Sequence, residues 1–90
     1  MKILKNAAAG TVESSDAYVT VEPLGEEISV EVESVVIEQF GEDIERCARE
    51  VLAELGVEGA RLVINDRGAL ECVIRARVET AVRRAGGDLS

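Results

Sequence analysis

Residues Ile28–Leu55 read ISVEVESVVIEQFGEDIERCAREVLAEL, and the spacing of their apolar side chains changes partway along. Ile28, Val30 and Val32 alternate with Ser29, Glu31 and Glu33. A period of two belongs to a strand with one buried face. From Ser34 onward, Val36, Ile37, Phe40, Ile44, Cys47, Ala48, Val51, Leu52 and Leu55 recur at three- and four-residue intervals. That is a single apolar stripe on a helix of about five or six turns. Ser34 suits the N-cap and Gly56 the position just past the C-terminus. Gly41 weakens the pattern locally, by about 1 kcal/mol against alanine, so a bend or a late start is expected there.

Working outward, Ala17–Leu24 (AYVTVEPL) also alternates, with Val19 and Val21 on one face and Tyr18, Thr20 and Glu22 on the other. Pro23 cannot donate to a ladder and should mark the strand's end or an edge. The turn at Gly25-Glu26-Glu27 is short, so these two strands are expected to pair as an antiparallel hairpin. Ala60–Asn65 (ARLVIN) is a third strand, with Leu62 and Ile64 pointing inward. The sequence NDRG, residues 65–68, signals a turn, and Asp66 is placed to cap the helix after it. Leu70, Val73, Ile74, Val78, Ala81, Val82 and Ala85 make a second helical stripe, ended by Gly86-Gly87. Residues 1–10 read as a mobile lead-in and 86–90 as a frayed tail. The expected order is β-β-α-β-α in one domain spanning 1–90. Two amphipathic helices need an apolar face, and the sheet offers one. The fold class is therefore α+β: a two-layer sandwich of a small, mostly antiparallel sheet of three or more strands, covered on one face by two helices.

Ninety residues can bury one modest core. The net charge is −8, and it is uneven: residues 1–45 hold 2 basic and 11 acidic side chains, residues 46–90 hold 8 and 7. Such an acidic N-terminal half repels nucleic acid and anionic membranes and favours basic protein partners. Tyr18 and Phe40 are the only aromatics, too few for a base-stacking platform. Cys47 and Cys72 have no metal or redox spacing, and they read as small hydrophobes within or beside the two stripes. With no signal-peptide core or membrane-length apolar run, a cytoplasmic setting is expected.

Catalysis by this chain alone is not expected. It has no histidine and no glycine-rich phosphate loop, and carboxylates such as Glu22, Glu31 and Glu33 alternate with valines on strand faces. No metal ligands are expected. Arg75, Arg77, Arg83 and Arg84 crowd the second helix. They read either as charge that suits a helix C-terminus or as a docking patch for phosphates or an acidic surface. One stretch remains: GTVESSD, residues 10–16, sets two hydroxyls between two carboxylates. Locally it is a turn whose side-chain oxygens bond nearby backbone N–H groups, or a phosphorylatable site on a non-catalytic interaction module.

Three separated segments break that ambiguity. MKI…AAAGTVESSD at the start, EQFGEDI at 38–44 and INDRGALECVIRARVE at 64–79 together resemble the acyl carrier (gamma) subunits of citrate lyase, in order and across nearly the whole chain. Citramalate lyase uses a similar carrier, and that of malonate decarboxylase is more distant. In that family the serine of a Gly-Thr-(Leu or Val)-Glu-Ser-(Gly or Ser)-Asp motif bears a phosphodiester-linked prosthetic group, 2′-(5″-phosphoribosyl)-3′-dephospho-coenzyme A. The motif maps that serine onto Ser14 and puts Ser15 where Gly or Ser is accepted. The resemblance implies a non-catalytic carrier of acetyl and citryl thioesters, working with an alpha subunit (acyl transferase) and a beta subunit (citryl lyase) as citrate is cleaved to acetate and oxaloacetate. It also implies a prosthetic-group transferase as partner. Glu13 and Asp16, and Arg75 and Arg77 on the second helix, are the expected recognition residues for such partners.

Overall fold

A computed structural model describes residues 1–34 and 41–87. Its elements run β1 (Ala7–Gly10), β2 (Ala17–Glu22), β3 (Ile28–Ser34), α1 (Gly41–Glu54), β4 (Ala60–Asp66) and α2 (Glu71–Ala85). The fold is α+β, with four strands in the order β1-β2-β4-β3. β1 and β2 are antiparallel, as are β2 and β4, whereas β3 and β4 run parallel. A parallel pair needs a crossover, and α1 supplies it between β3 and β4.

The alternations read from sequence set the faces. Ala17, Val19 and Val21 of β2 and Ala60, Leu62 and Ile64 of β4 are each 2% exposed or less. They meet Ile44, Cys47, Ala48, Val51 and Leu52 from α1, and Ile74, Val78, Ala81, Val82 and Ala85 from α2, in one core. Both helices thus lie on the same side of the sheet. β2 ends at Glu22, immediately before Pro23. Gly56 adopts φ +65° at the end of α1, and Val57 N–H reaches back to the Leu52 carbonyl at 3.0 Å. A left-handed glycine closing a helix in this way satisfies carbonyls that would otherwise be orphaned.

Two expectations are corrected. The strands at 17–22 and 28–34 are antiparallel in direction but do not pair, because β4 lies between them. Their connection must step across two strand spacings, about 10 Å, rather than turn back on itself. It does so over the start of β4, with Glu27 N–H on the Leu24 carbonyl and Ala60 N–H on the Glu27 carbonyl. Gly59 makes room: a Cβ there would stand 2.0 Å from the Gly25 carbonyl oxygen. A short acidic turn after an alternating run looks the same for both routes, so periodicity could not choose between them.

The second correction concerns residues 1–10, which are not a free lead-in. Ala7–Gly10 pairs with Val21–Tyr18 as the edge strand β1. Ahead of it, Ile3 is buried, and Leu4 and Lys5 N–H groups donate to the Ala85 carbonyl. The terminal amine donates to the Leu55 and Gly56 carbonyls. Three alanines and a glycine carry little strand propensity, so tertiary pairing makes this strand.

Smaller differences follow from geometry. Leu70 lies just before α2 and is 71% exposed, outside the stripe that begins at Ile74. Cys47 is buried as expected, but Cys72 is exposed. Ser34 ends β3, and its hydroxyl donates to Asp66 at 2.9 Å. The expected helical positions Val36, Ile37 and Phe40 lie outside the described residues, as do residues 88–90 of the tail.

Candidate functional site

The strand that composition concealed creates the site. β1 and β2 form a hairpin in which Gly10 pairs with Tyr18, and Thr11–Asp16 fill its loop. Ser14 stands at its tip and is exposed, as are Val12, Glu13 and Ser15. The carboxylate of Asp16 organises the loop beneath it. Oδ2 accepts from the Thr11 hydroxyl at 2.7 Å, and Oδ1 from the Ala17 N–H at 2.7 Å. The Arg77 guanidinium grips both oxygens from α2, at 3.0 Å each. Thr11 Oγ1 in turn accepts from Glu13 N–H at 3.2 Å.

The Arg77 fork, then the Thr11 hydroxyl and the Ala17 N–H, hold the Asp16 carboxyl well below the usual carboxylate range. A carboxyl whose pKa is lowered by folding adds stability that is complete above its unfolded value, near 4, and is lost as pH falls below it. Asp16→Asn is therefore expected to melt at lower temperature than the wild type at neutral pH. The gap should narrow on acidification below about pH 4, where the Asp16 carboxyl of the unfolded wild-type chain becomes neutral while the folded one resists protonation. Thermal melts of both proteins across that range check this, and equal melting temperatures at pH 7 would remove the clamp from the account.

The turn that follows β4 contributes the other wall. Ser15 N–H donates to the Arg67 carbonyl at 2.8 Å, Arg67 N–H donates to the Asp16 carbonyl at 2.9 Å, and Arg67 Nε donates to the Val12 carbonyl at 3.1 Å. Asp66, next in line, is 2% exposed and accepts from Gly68 and Ala69 N–H groups and from Ser34. It thus shapes the turn before α2 rather than capping the helix as expected: the N-cap is Leu70, with no side-chain cap bond.

The two serines are not equivalent. Ser15 has φ +64°, the left-handed region that disfavours most side chains. Glycine enters it freely, so a glycine would fit this position without strain. Ser14 carries no such constraint, and neither hydroxyl is hydrogen-bonded within the described residues. Ser15→Gly is expected to leave unfolding free energy within about 0.5 kcal/mol of wild type. Ser15→Val should lose about 1–2 kcal/mol, because a β-branched residue is forced left-handed. Urea unfolding distinguishes these outcomes; equal loss in both variants would tie the effect to the hydroxyl instead.

Of the four residues expected to recognise partners, the structure brings two together and separates the others. Asp16 and Arg77 bind one another, so their charge is committed to holding the loop. Glu13 is exposed beside Ser14. Arg75 faces α1, paired with Glu50 at 3.2 Å and Glu54 at 2.8 Å. It also lies 4.0 Å from the Cys47 sulfur, whose thiol burial pushes up while Arg75 opposes the shift. Arg83 pairs with Glu79, and Arg84 donates to the Ala8 carbonyl of β1 at 2.8 Å. The arginines of α2 therefore include staples to α1, β1 and the serine loop. Sequence reasoning missed Arg67 as part of the site. It lies 55 residues from Val12, and no local pattern joins them.

Comparison with known proteins identifies the family. Residues 4–85 match the family model described as ACP: Malonate decarboxylase delta subunit (MdcD). A citrate lyase acyl carrier protein of Escherichia fergusonii is 60% identical over 86 residues, covering 94% of this chain and 89% of the relative. One from Haemophilus influenzae (strain PittGG) is 49% identical over 89 residues, covering 99% and 93%. Citrate lyase acyl carrier protein 2 of Salmonella typhimurium is 54% identical over 86 residues, covering 94% and 89%. Among solved structures, a chain of a Pseudomonas malonate decarboxylase hetero-tetramer in complex with malonate superposes with a TM-score of 0.80 at 20% identity, covering 93% of this chain and 87% of that one. That last likeness concerns the fold alone. Near-full-length identity at this level, together with the family-model match, places the chain in the family of citrate lyase acyl carrier proteins and malonate decarboxylase delta subunits.

Proposed function

We propose that the protein is the acyl carrier subunit of a citrate lyase, bearing its prosthetic group on Ser14. The observation that carries the reading is Ser14 itself: an exposed, unbonded hydroxyl at the tip of a hairpin loop that is tied down on both sides of it. The group, 2′-(5″-phosphoribosyl)-3′-dephospho-coenzyme A, supplies a thiol on a long arm to which acyl groups can be attached. The residues present fit it. Ser14 is open to solvent, so a transferase can reach its oxygen and the arm can swing.

The chain's own share is mechanical. Asp16, held by Arg77 and Thr11, fixes the loop to α2, and the Ser15 and Arg67 backbone bonds fix it to the turn after β4. A rigid root presents the arm at a defined point, and tethering replaces diffusion with an effective concentration of millimolar order. The catalytic groups belong to the alpha and beta subunits of the complex, and the carrier is non-catalytic and cytoplasmic. Glu13, exposed beside the attachment point, is the acidic mark offered to basic surfaces of those subunits and of the transferase. Asp16 and Arg77 support the loop rather than face the partner, and Arg75 joins the two helices.

Intact mass of the protein purified from its native source tests the proposal. The carrier should exceed its polypeptide mass by the full coenzyme derivative, located on Ser14 by peptide fragmentation. An increment of about 80 Da would identify a phosphoserine and a regulatory module instead. A carrier for citramalate or malonate would bear the same arm. It would be recognised by purifying the complex through this subunit and assaying which acid it cleaves.

A further inference from the structure

A phosphodiester at the root of the Ser14 arm adds negative charge to a chain already at −8. The cations near the loop are mostly committed. Arg77 is bound to Asp16, and Arg84 donates to the Ala8 carbonyl. Arg67 differs from both. It is exposed, and within the described residues its guanidinium pairs with no carboxylate. Its one side-chain bond runs from Nε to the Val12 carbonyl, 3.1 Å. Its backbone N–H and carbonyl bond Asp16 and Ser15. These contacts lie on either side of Ser14 in the loop, and they leave the terminal nitrogens of the fork unused.

We infer that Arg67 is the anion-binding side chain of this site, its free guanidinium edge contacting the phosphodiester formed on the Ser14 oxygen. A guanidinium presents parallel N–H donors that match two phosphate oxygens, a fit an ammonium cannot reproduce. The Nε bond to Val12 already restricts the side chain, so less freedom is lost when the anion binds. Arg67 is a positioning residue: it holds the root of the arm against the hairpin and leaves the distal thiol free to travel. The same contact steadies the incoming anionic donor during attachment.

This inference rests on the reading of Ser14 as the attachment residue, and phosphorus NMR of the loaded protein separates the two. The pyrophosphate resonances of the coenzyme portion serve as an internal reference. In Arg67→Gln the phosphodiester resonance is expected to move toward its position in urea-unfolded loaded protein, while the pyrophosphate resonances stay in place. Arg67→Lys should fall between, keeping the charge but not the fork. Loading by the prosthetic-group transferase, followed by intact mass, should slow on the order of tenfold in Arg67→Gln and recover in part in Arg67→Lys. Melting temperature and an amide NMR spectrum establish that each variant is folded. A loaded wild type whose phosphodiester resonance is unmoved in folded Arg67→Gln overturns the Arg67 assignment alone. A wild type with no added mass on Ser14 overturns both readings together.

Discussion

Ser14→Ala is expected to fold normally, to remain at its polypeptide mass in the native host, and to reduce citrate cleavage by the assembled complex to background. The effect should be all-or-none because, in the proposed reading, the arm is attached through the Ser14 oxygen. Ser15 is one residue away, but its left-handed backbone and its N–H bond to Arg67 direct it differently. An alanine at 14 removes no hydrogen bond within the described residues, so its stability should lie within about 0.5 kcal/mol of wild type. Intact mass, urea unfolding and complex turnover measured on one preparation check each part. Prosthetic group retained by Ser14→Ala would falsify the assignment.

Gly10→Ala should be the most damaging single change near the site that leaves Ser14 untouched. Gly10 closes the hairpin at φ +94°, and a Cβ built there would stand 1.8 Å from the Ala17 carbonyl oxygen and 3.1 Å from Cδ of Arg77. The first contact is with backbone held in the β2–β4 ladder, where Ala17 faces Asp66, so it cannot easily yield. Left-handed strain of about 1–2 kcal/mol adds to the displacement this contact forces, for a total on the order of 3 kcal/mol. In a domain this small that corresponds to a melting temperature lower by roughly 10–20 °C. Calorimetry tests it, and a drop of under about 3 °C would show that the hairpin relaxes around the methyl group. Attachment to Ser14 should slow as well, since a distorted β1 end displaces Thr11 and releases its hydroxyl from Asp16.

Much of this molecule is written in local pattern. The burial of Val19, Val21, Leu62 and Ile64, the apolar stripes of α1 and α2, and the close of α1 at Gly56 come from spacing and turn chemistry among near neighbours. The choice of Ser14 over Ser15 as the proposed attachment residue also starts from sequence, through the resemblance of residues 10–16 to a family motif. The hidden elements depend on distant partners. Ala7–Gly10 has no strand signal of its own and becomes a strand because Val21–Tyr18 offers it a free edge.

Sequence by itself determined the class of fold and the inward faces, since each depends on residue type and on spacing of at most a few positions; Ser14 stood out only through a resemblance spread along the chain. Tertiary structure alone decided that β4 enters between β2 and β3, that the first ten residues complete the hairpin under Ser14, and that Asp16 is a clamp rather than a free charge. It also brought Arg77 across 61 residues to Asp16 and Arg67 across 55 to Val12. The physical reason is that hydrogen-bond and charge partners are chosen by distance in space, which the chain's topology sets, whereas periodicity reports only which side of its own element a residue occupies.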